Sequence, residues 1–152
     1  STPLYSSAAS DVYKRQPIPA PPPDVAQDLV PACMVQAARD YSLPLRGLIA
    51  VWLTESGSGE PLKSVNKNGT VDHGPFQINT VWANRLQSEF GVPPELITSD
   101  FCWAARAGAY ILRYEINQAG GSFWDGVGHY HSRTPKFKYP YIQRVYNNSL
   151  RF

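Results

Sequence analysis

Residues 50–57 read AVWLTESG, an apolar run that ends in one carboxylate, Glu55, and is followed at once by residues that break helices. The apolar residues before Glu55 recur at helical spacings of three and four: Leu45, Leu48, Ile49 and Trp52. Glu55 therefore shares a helix face with core residues, where burial favours the neutral form of its carboxyl. This makes Glu55 a candidate proton donor near neutral pH. The alternative is a Glu at a helix C-terminus that turns out to water.

Length and charge restrict the class of protein. The 152 residues predict one domain, and a hydrophobic content of 43% with four Trp is sufficient for a core. The net charge of +2 is compatible with an anionic polymer as partner, but the absence of a basic run argues against nucleic acid. No apolar run is long enough to predict a membrane-spanning helix. No Cys and His spacing typical of zinc sites occurs, so we expect neither a metal nor another cofactor.

Two cysteines, Cys33 and Cys102, are far apart in the chain. A disulfide between them would stabilise the fold by roughly 4 kcal/mol in the chain-entropy treatment. It would also place the protein in the periplasm or outside the cell. The alternative is two buried thiols in a cytosolic protein. No signal peptide is visible and the sequence begins without Met, for which a cleaved or deleted export signal is the simplest explanation.

Residues 1–30 are predicted to lie outside the folded domain. Five prolines fall between Pro17 and Pro23, and no apolar periodicity accompanies them, which is typical of a disordered or polyproline-like lead-in. Residues 6–16 (SSAASDVYKRQ) look like a translated sequencing-adapter tract, and if they are one they are not native. The folded domain is expected to cover residues 31–152.

Periodicity and breaking residues predict a mainly α-helical protein of the α+β class. The predicted helices cover approximately residues 31–42, 43–55, 79–90, 100–119, 122–128 and 140–148. Ser99 is the predicted cap of the long fourth helix, and a basic, aromatic loop is expected before the last one. Asn68-Gly69, a strong two-residue turn signal with short extended arms, predicts a small β-hairpin.

Four segments carry the clearest functional pattern: Glu55-Ser56, NKNGTVD at residues 66–72, GPFQIN at 74–79 and HYHS at 129–132. In this order they resemble the soluble lytic transglycosylases of the lysozyme-like superfamily. Those enzymes have a catalytic Glu followed by Ser at a helix end and a Gly-x-x-Gln-(Ile/Leu) segment downstream. The resemblance covers about residues 31–148 and implies a lysozyme-like fold.

The resemblance is greatest to the small transglycosylases encoded with conjugation and secretion machines. These share the paired Cys, the Asn-x-Asn-Gly-Thr-x-Asp hairpin and a Tyr-His-Ser-x-Thr-Pro tract, which is residues 130–135 here. The implied substrate is peptidoglycan, cut between N-acetylmuramic acid and N-acetylglucosamine so that a machine can cross the wall. Glu55 would act as acid and then as base, and the substrate's own N-acetyl group would replace a second carboxylate, giving a 1,6-anhydro product. A periplasmic or secreted location follows.

Asp72 leaves a second chemistry open. Its position on the far arm of the hairpin also resembles c-type lysozymes, in which the Asp is the nucleophile or stabiliser of a retaining hydrolysis. Asp72 would then make the protein a hydrolytic muramidase. Its alternatives are a supporting electrostatic role or a turn residue that bonds nearby backbone N–H groups. A further class of function is a non-catalytic glycan-binding or assembly factor of a secretion apparatus.

The remaining candidate site residues take their roles from the resemblance. Gln77 would present its amide to the sugar, or else be a buried structural amide. Tyr130 matches the family's Tyr that holds the catalytic carboxyl by a hydrogen bond, with core packing as its alternative. Ser56 would cap the helix end or bond Glu55, and Asn79 and His131 complete the predicted substrate-binding set. Stacking faces for sugar rings are expected from Trp82, Tyr139 and Tyr141.

Overall fold

The structure is a computed structural model that describes residues 30–56 and 63–152. The predicted lead-in lies outside the described residues except for Val30, and so does the loop expected at residues 57–62. The statements below concern the described residues alone.

Seven helices and a three-stranded sheet make up this part of the chain, which confirms the mainly α-helical α+β class. The helices are α1 (Ala32–Asp40), α2 (Leu45–Ser56), α3 (Thr80–Phe90), α4 (Pro94–Ser99), α5 (Phe101–Gln118), α6 (Phe123–His131) and α7 (Pro135–Ser149). The strands are β1 (Lys63–Val65), β2 (Val71–His73) and β3 (Ile78–Asn79). They form an antiparallel sheet in the order β1-β2-β3, between α2 and α3 in the chain.

Helix α5 is the centre of the packing, because α1, α4 and α6 all contact it, while α7 covers α2 and α6. The sheet is attached to this helical core through Phe76, a fully buried residue in the connection between β2 and β3. Its ring lies against Gly108 of α5, where an added Cβ would come within 2.6 Å of the ring. The close approach that this glycine permits fixes the sheet beside the end of α2.

The Cys33–Cys102 disulfide is present, as predicted, and joins α1 to α5. At the other end of α1, the Arg113 guanidinium of α5 donates to the carbonyl oxygens of Tyr41 and Ser42, at 2.9 and 2.8 Å. Helix α1 is therefore held to α5 at both ends. Within the described ranges, no helix combines the length and the apolar character needed to cross a membrane.

Helix α4 and strand β3 were absent from the prediction. Pro94 occupies the first position of α4, where a missing N–H costs nothing. Ser99 was wrong as the cap of the long helix: it ends α4, and the carboxylate of Asp100 accepts from the backbone N–H of Trp103 at 3.0 Å. Strand β3 has two residues, too few to show an alternating pattern.

The last two helices are longer than predicted. Helix α6 continues to His131, and α7 begins at Pro135 where a loop was expected. Pro135 is in the first turn, the position that tolerates proline. Pro140 was predicted to open the helix but lies inside it, where it gives up one backbone donor.

Candidate active site

The end of α2, the sheet and α6 surround a cleft of about 260 Å³. The described residues that line it are Glu55, Asn66, Asp72, Gln77, Ile78, Asn79, Trp82, Ile111, Tyr130 and His131. Six of the predicted catalytic and substrate-binding residues are thus brought together. The other two, Ser56 and Tyr141, lie outside this lining but bond residues beside it.

Glu55 lies in the last turn of α2 and is half-buried. Its Oε2 accepts a hydrogen bond of 2.6 Å from the phenol of Tyr141. Burial raises the pKa of Glu55 to about 7; the Tyr141 hydrogen bond opposes the rise, the negative charge of Asp72 adds to it, and the positive charge of Arg144 opposes it. Near neutral pH this carboxyl therefore both holds and releases a proton.

The tyrosine that holds Glu55 is not the one predicted. The Tyr130 hydroxyl donates to the backbone oxygen of Phe76 at 2.8 Å, so its expected hydrogen bond to Glu55 was wrong. Tyr141 of α7 makes that bond instead. Burial and the neighbouring charge of Glu55 keep the pKa of both phenols well above the ordinary value, so both remain protonated donors.

Asp72 lies in the middle strand β2, opposite Ser64 of β1 and Asn79 of β3. Its Oδ1 accepts from the side-chain amide of Asn79 at 3.0 Å. The interpretation of Asp72 as a turn residue that bonds backbone N–H groups was therefore wrong. Asp72 lines the same cleft as Glu55, and its negative charge raises the pKa of Glu55.

Gln77 has both ends of its amide engaged within the protein. Its Oε1 accepts from Ser64 at 2.8 Å and its Nε2 donates to the Gly74 carbonyl at 2.9 Å. The backbone of Gln77 is in the left-handed region, with φ of 50°. These contacts fit the structural alternative, although Gln77 lines the cleft and has a second amide N–H that a ligand could use.

Ser56 and Asn79 organise the backbone around the cleft. The Ser56 hydroxyl donates to the carbonyl of Pro75, a contact that the predicted roles, a helix cap or a bond to Glu55, did not include. The contact ties the end of α2 to the β2–β3 connection. Asn79 is the N-cap of α3: its side-chain oxygen accepts from the backbone N–H of Val81 at 3.1 Å.

The predicted stacking residues differ in position. Trp82 lines the cleft, and its ring packs edge-on against Tyr114, with 5.0 Å between ring centroids. Tyr139 does not line the cleft, and the Lys138 ammonium lies 5.2 Å from its ring centroid. Tyr141 was wrong as a stacking face for sugars, because it is only 1% exposed.

The chain was compared with known proteins. No family model matches the chain. Protein IpgF of Shigella flexneri is 33% identical over 123 residues, which are 78% of this chain and 80% of the relative. The chain belongs to the IpgF family.

Two other relatives of this IpgF-family chain differ in coverage. Invasion protein IagB of Salmonella typhimurium (strain SL1344) is 28% identical over 120 residues, 76% of this chain and 74% of the relative. The X polypeptide of Escherichia coli is 30% identical over 100 residues, 66% of this chain and 58% of the relative. The similarity thus extends over most of the folded part of the chain.

In the IpgF-family chain, the ring of His131 covers the buried Tyr141. The two rings are parallel within 10°, with 4.7 Å between their centroids. Burial, and then the charge of Arg144, lower the pKa of His131, which favours a neutral imidazole near pH 7. His131 therefore presents an uncharged ring to the cleft while it stacks on the Tyr141 ring. Across the described ranges, no three His, Cys, Asp or Glu side chains are grouped so that they could hold a metal ion.

Tyr141 was predicted from the sequence to contact the substrate, but its hydrogen bond to Glu55 was not predicted. The buried residues of α7 recur at spacings of three and four: Lys138, Tyr141, Ile142, Val145 and Ser149. Extending the helix back to Pro135 would have placed Tyr141 on this buried face. Arg144, whose charge acts on both Glu55 and His131, had no sequence signal of its own.

Proposed function

We propose that the protein is a peptidoglycan lytic transglycosylase that cuts the bond between N-acetylmuramic acid and N-acetylglucosamine. The observation that carries the proposal is the half-buried Glu55, held by Tyr141 in an open cleft, with a pKa raised to about 7. A group that must donate a proton and then accept one works best when its pKa is near the working pH.

The first half-reaction would use the protonated form of Glu55. Its proton passes to the glycosidic oxygen as the bond from that oxygen to C1 of the muramyl sugar breaks. The carbonyl oxygen of the sugar's own N-acetyl group bonds to C1 and stabilises the developing positive charge. The negative charge of Asp72, in the same cleft, would favour that cationic centre.

The second half-reaction would use the ionised form of Glu55. Its carboxylate takes the proton of the muramyl C6 hydroxyl, whose oxygen attacks C1 and displaces the N-acetyl oxygen. The product is a 1,6-anhydro ring, and Glu55 is protonated again for the next cycle. Tyr141, which donates to Oε2, would hold the carboxylate in one orientation through both steps.

The relatives support a biological setting for this reaction. One of them is named an invasion protein, and the motifs resemble the small transglycosylases of conjugation and secretion machines. We infer that cleavage opens the cell wall locally for such a machine. The proposed location is the periplasm or the cell exterior, which the Cys33–Cys102 disulfide supports. The proposed functional domain is residues 31–152.

A hydrolytic muramidase is the second candidate, favoured by the position of Asp72 beside Glu55 in the cleft. Mass spectrometry of the fragments released from purified cell walls distinguishes the two reactions. Lytic transglycosylation gives anhydro ends, which are one water lighter than the ends that hydrolysis gives. Fragments that all carry the added water would replace the first proposal with the second.

A turbidity assay on purified walls tests whether the protein is an enzyme at all. We expect Glu55→Gln to lose at least about 10²-fold in rate, because Gln keeps the shape of Glu and loses the transferable proton. A melting temperature at acidic pH equal to wild type is the control for folding. Wild-type cleavage by this variant would contradict the role of Glu55. Binding to walls without cleavage by the wild-type protein would favour a non-catalytic factor.

A further inference from the structure

An arginine lies beside the catalytic carboxyl. Arg144 follows Tyr141 by three residues on α7, so both project from the same side of that helix. The guanidinium carbon of Arg144 is 5.5 Å from the centroid of the Tyr141 ring. The same ring is covered by His131, which lines the cleft, and its hydroxyl bonds Glu55. Arg144 is itself exposed to solvent.

Four cations among the described residues have a carboxylate partner, whereas several others, such as Arg39 and Arg113, have none. The ion pairs are Arg85–Glu89, Arg106–Asp40, Arg133–Glu115 and Lys138–Asp125. Arg144 forms no ion pair with any described residue, although its charge acts on both Glu55 and His131. Arg144 is thus an exposed guanidinium that lies against the Tyr141 ring, and Tyr141 in turn contacts two residues of the cleft, His131 and Glu55.

We propose that Arg144 binds a carboxylate of the substrate and thereby places the muramyl sugar at Glu55. The inference rests on the proposed function and deepens it. N-acetylglucosamine carries no carboxylate, whereas N-acetylmuramic acid carries a lactyl group. That group ends in a free carboxylate or continues into a stem peptide with carboxylates of its own. An arginine fork can bind such a group through two parallel hydrogen bonds.

This contact would choose which bond is cut. In a strand of alternating sugars, a shift by one sugar places N-acetylglucosamine where the muramyl sugar should be. A cation at one end of the cleft attracts a carboxylate only in the correct register. Arg144 would then act in binding and orientation, while the proton transfers stay with Glu55.

The test measures binding in a Glu55→Gln background, so that no cleavage disturbs the measurement. The ligands are strands with stem peptides, strands stripped by an amidase that keep the free lactyl carboxylate, and chitohexaose, which has no carboxylate. Arg144→Gln should weaken binding of the first, the second or both by about 10- to 100-fold, as expected for a charged hydrogen bond. Which of the two strands loses affinity identifies the carboxylate. Chitohexaose should bind both proteins equally, and Arg144→Lys should recover part of the loss.

A matched control is Arg106→Gln. Arg106 lies 5.5 Å from the ring centroid of Tyr41, the same distance as in the Arg144 pair, but the Tyr41 ring packs against Tyr110, which does not line the cleft. This control should bind every ligand as the background protein does. An equal loss of affinity for chitohexaose in the Arg144 variant, or no loss for either muramyl strand, would overturn the proposal.

A second readout separates binding from an electrostatic effect on Glu55. With Glu55 intact, Arg144→Gln should raise KM on muramyl strands more than it lowers kcat. An altered pH profile with unchanged affinity for the strands would show that Arg144 acts through Glu55 alone, against the proposal. Failure of the proposed function would look different, because the protein with Glu55 intact would then release no anhydro fragments from purified walls, whatever its affinity for the strands.

Discussion

Glu55 gains its chemistry at a cost in stability. A carboxyl whose pKa is higher in the folded than in the unfolded protein binds its proton more tightly when folded. Burial is the main cause of the rise from 4.5 to about 7. The folded state is therefore fully favoured at low pH and loses stability as the pH rises from about 4.5 through about 7.

This cost predicts that Glu55→Gln stabilises the protein at alkaline pH. The loss on ionisation is on the order of 3 kcal/mol, at about 1.4 kcal/mol for each pKa unit. Gln has no proton to lose and can still accept the hydrogen bond of Tyr141. Thermal melting should give equal stability near pH 4 and a more stable variant above pH 8. A difference in stability between the two proteins that stays constant from pH 4 to above pH 8 would show that ionisation of Glu55 does not destabilise the fold.

Removal of the hydroxyl should have different effects at the two tyrosines near Glu55. Tyr141→Phe removes the donor that holds Oε2 and opposes the rise in the pKa of Glu55. We expect wall cleavage to fall by about 10-fold or more, as for the loss of a hydrogen bond to a charged group, and its alkaline limit to move to higher pH. Tyr130→Phe loses a bond to the Phe76 carbonyl instead and should leave that limit in place. The pH profile of wall cleavage by both variants is the measurement. A shift for Tyr130→Phe alone would indicate that Tyr130, and not Tyr141, holds the carboxyl of Glu55.

For single residues, the sequence indicated which residue types form the site better than it indicated which side chains hydrogen-bond each other. The apolar helical spacing before Glu55 made a buried acid a candidate, with a Glu turned out to water as the alternative, and the downstream motifs favoured the buried acid. The hydroxyl that bonds it comes from α7, and a contact between elements so far apart in the chain leaves no periodic signal. The motif resemblance therefore indicated a tyrosine of α6, whereas the packing of α7 on α2 brings Tyr141 to the carboxyl.

Among the elements, the sheet holds Asp72 where it can act on Glu55. The register places Asp72 between Ser64 and Asn79, and the Asn79 amide fixes its carboxylate at 3.0 Å. The hairpin was predictable because Asn68-Gly69 is a local signal, although residues 66–70, and not a two-residue turn, join its strands. The third strand was not predictable, since its pairing with β2 depends on how Phe76 is buried against α5.

Asp72→Asn distinguishes the two proposed chemistries. Asn keeps an oxygen that can accept from Asn79, so the sheet should be retained. In a transglycosylase the N-acetyl group of the substrate does the nucleophilic work, and activity should stay within about tenfold, or roughly 1.4 kcal/mol in barrier. Because the charge of Asp72 raises the pKa of Glu55, the alkaline limit should also move to lower pH. Rates of wall cleavage and melting temperatures test both statements. A loss of several orders of magnitude with unchanged melting would favour the hydrolase.

Helices α4 and α7 show why proline was a poor boundary marker in this chain. Pro94 and Pro135 both start helices, while Pro140 is accommodated inside one. The first turn of a helix needs no hydrogen bond from its N–H groups, so a proline can equally mark a beginning or an end. Which one applies depends on tertiary packing, and for α7 the packing on α2 and α6 decides it.

For the whole molecule, the contacts between α1 and α5 keep α1 packed on the hydrophobic core. Helix α1 is the first described element, and its buried side chains Met34, Ala37 and Ala38 complete the core. The short α1 has limited stability of its own, because isolated helices below about 12 residues are marginal in water. The disulfide at one end and Arg113 at the other therefore keep α1 in place.

Removal of the disulfide should destabilise the whole fold without altering the cleft, because neither cysteine lines the cleft. The bridge joins residues separated by 69 positions, and such a loop predicts roughly 4 kcal/mol in the chain-entropy treatment. For a domain of this size, each kcal/mol shifts the melting temperature by about 2–4 °C, so reduction should lower it by roughly 10 °C. The double variant Cys33→Ser with Cys102→Ser should melt like the reduced wild type and, at low temperature, cleave walls at the wild-type rate. Intact mass after alkylation without reductant is the direct check: two alkylated thiols in the purified wild-type protein would show that the bridge is absent, and with it the main support for export.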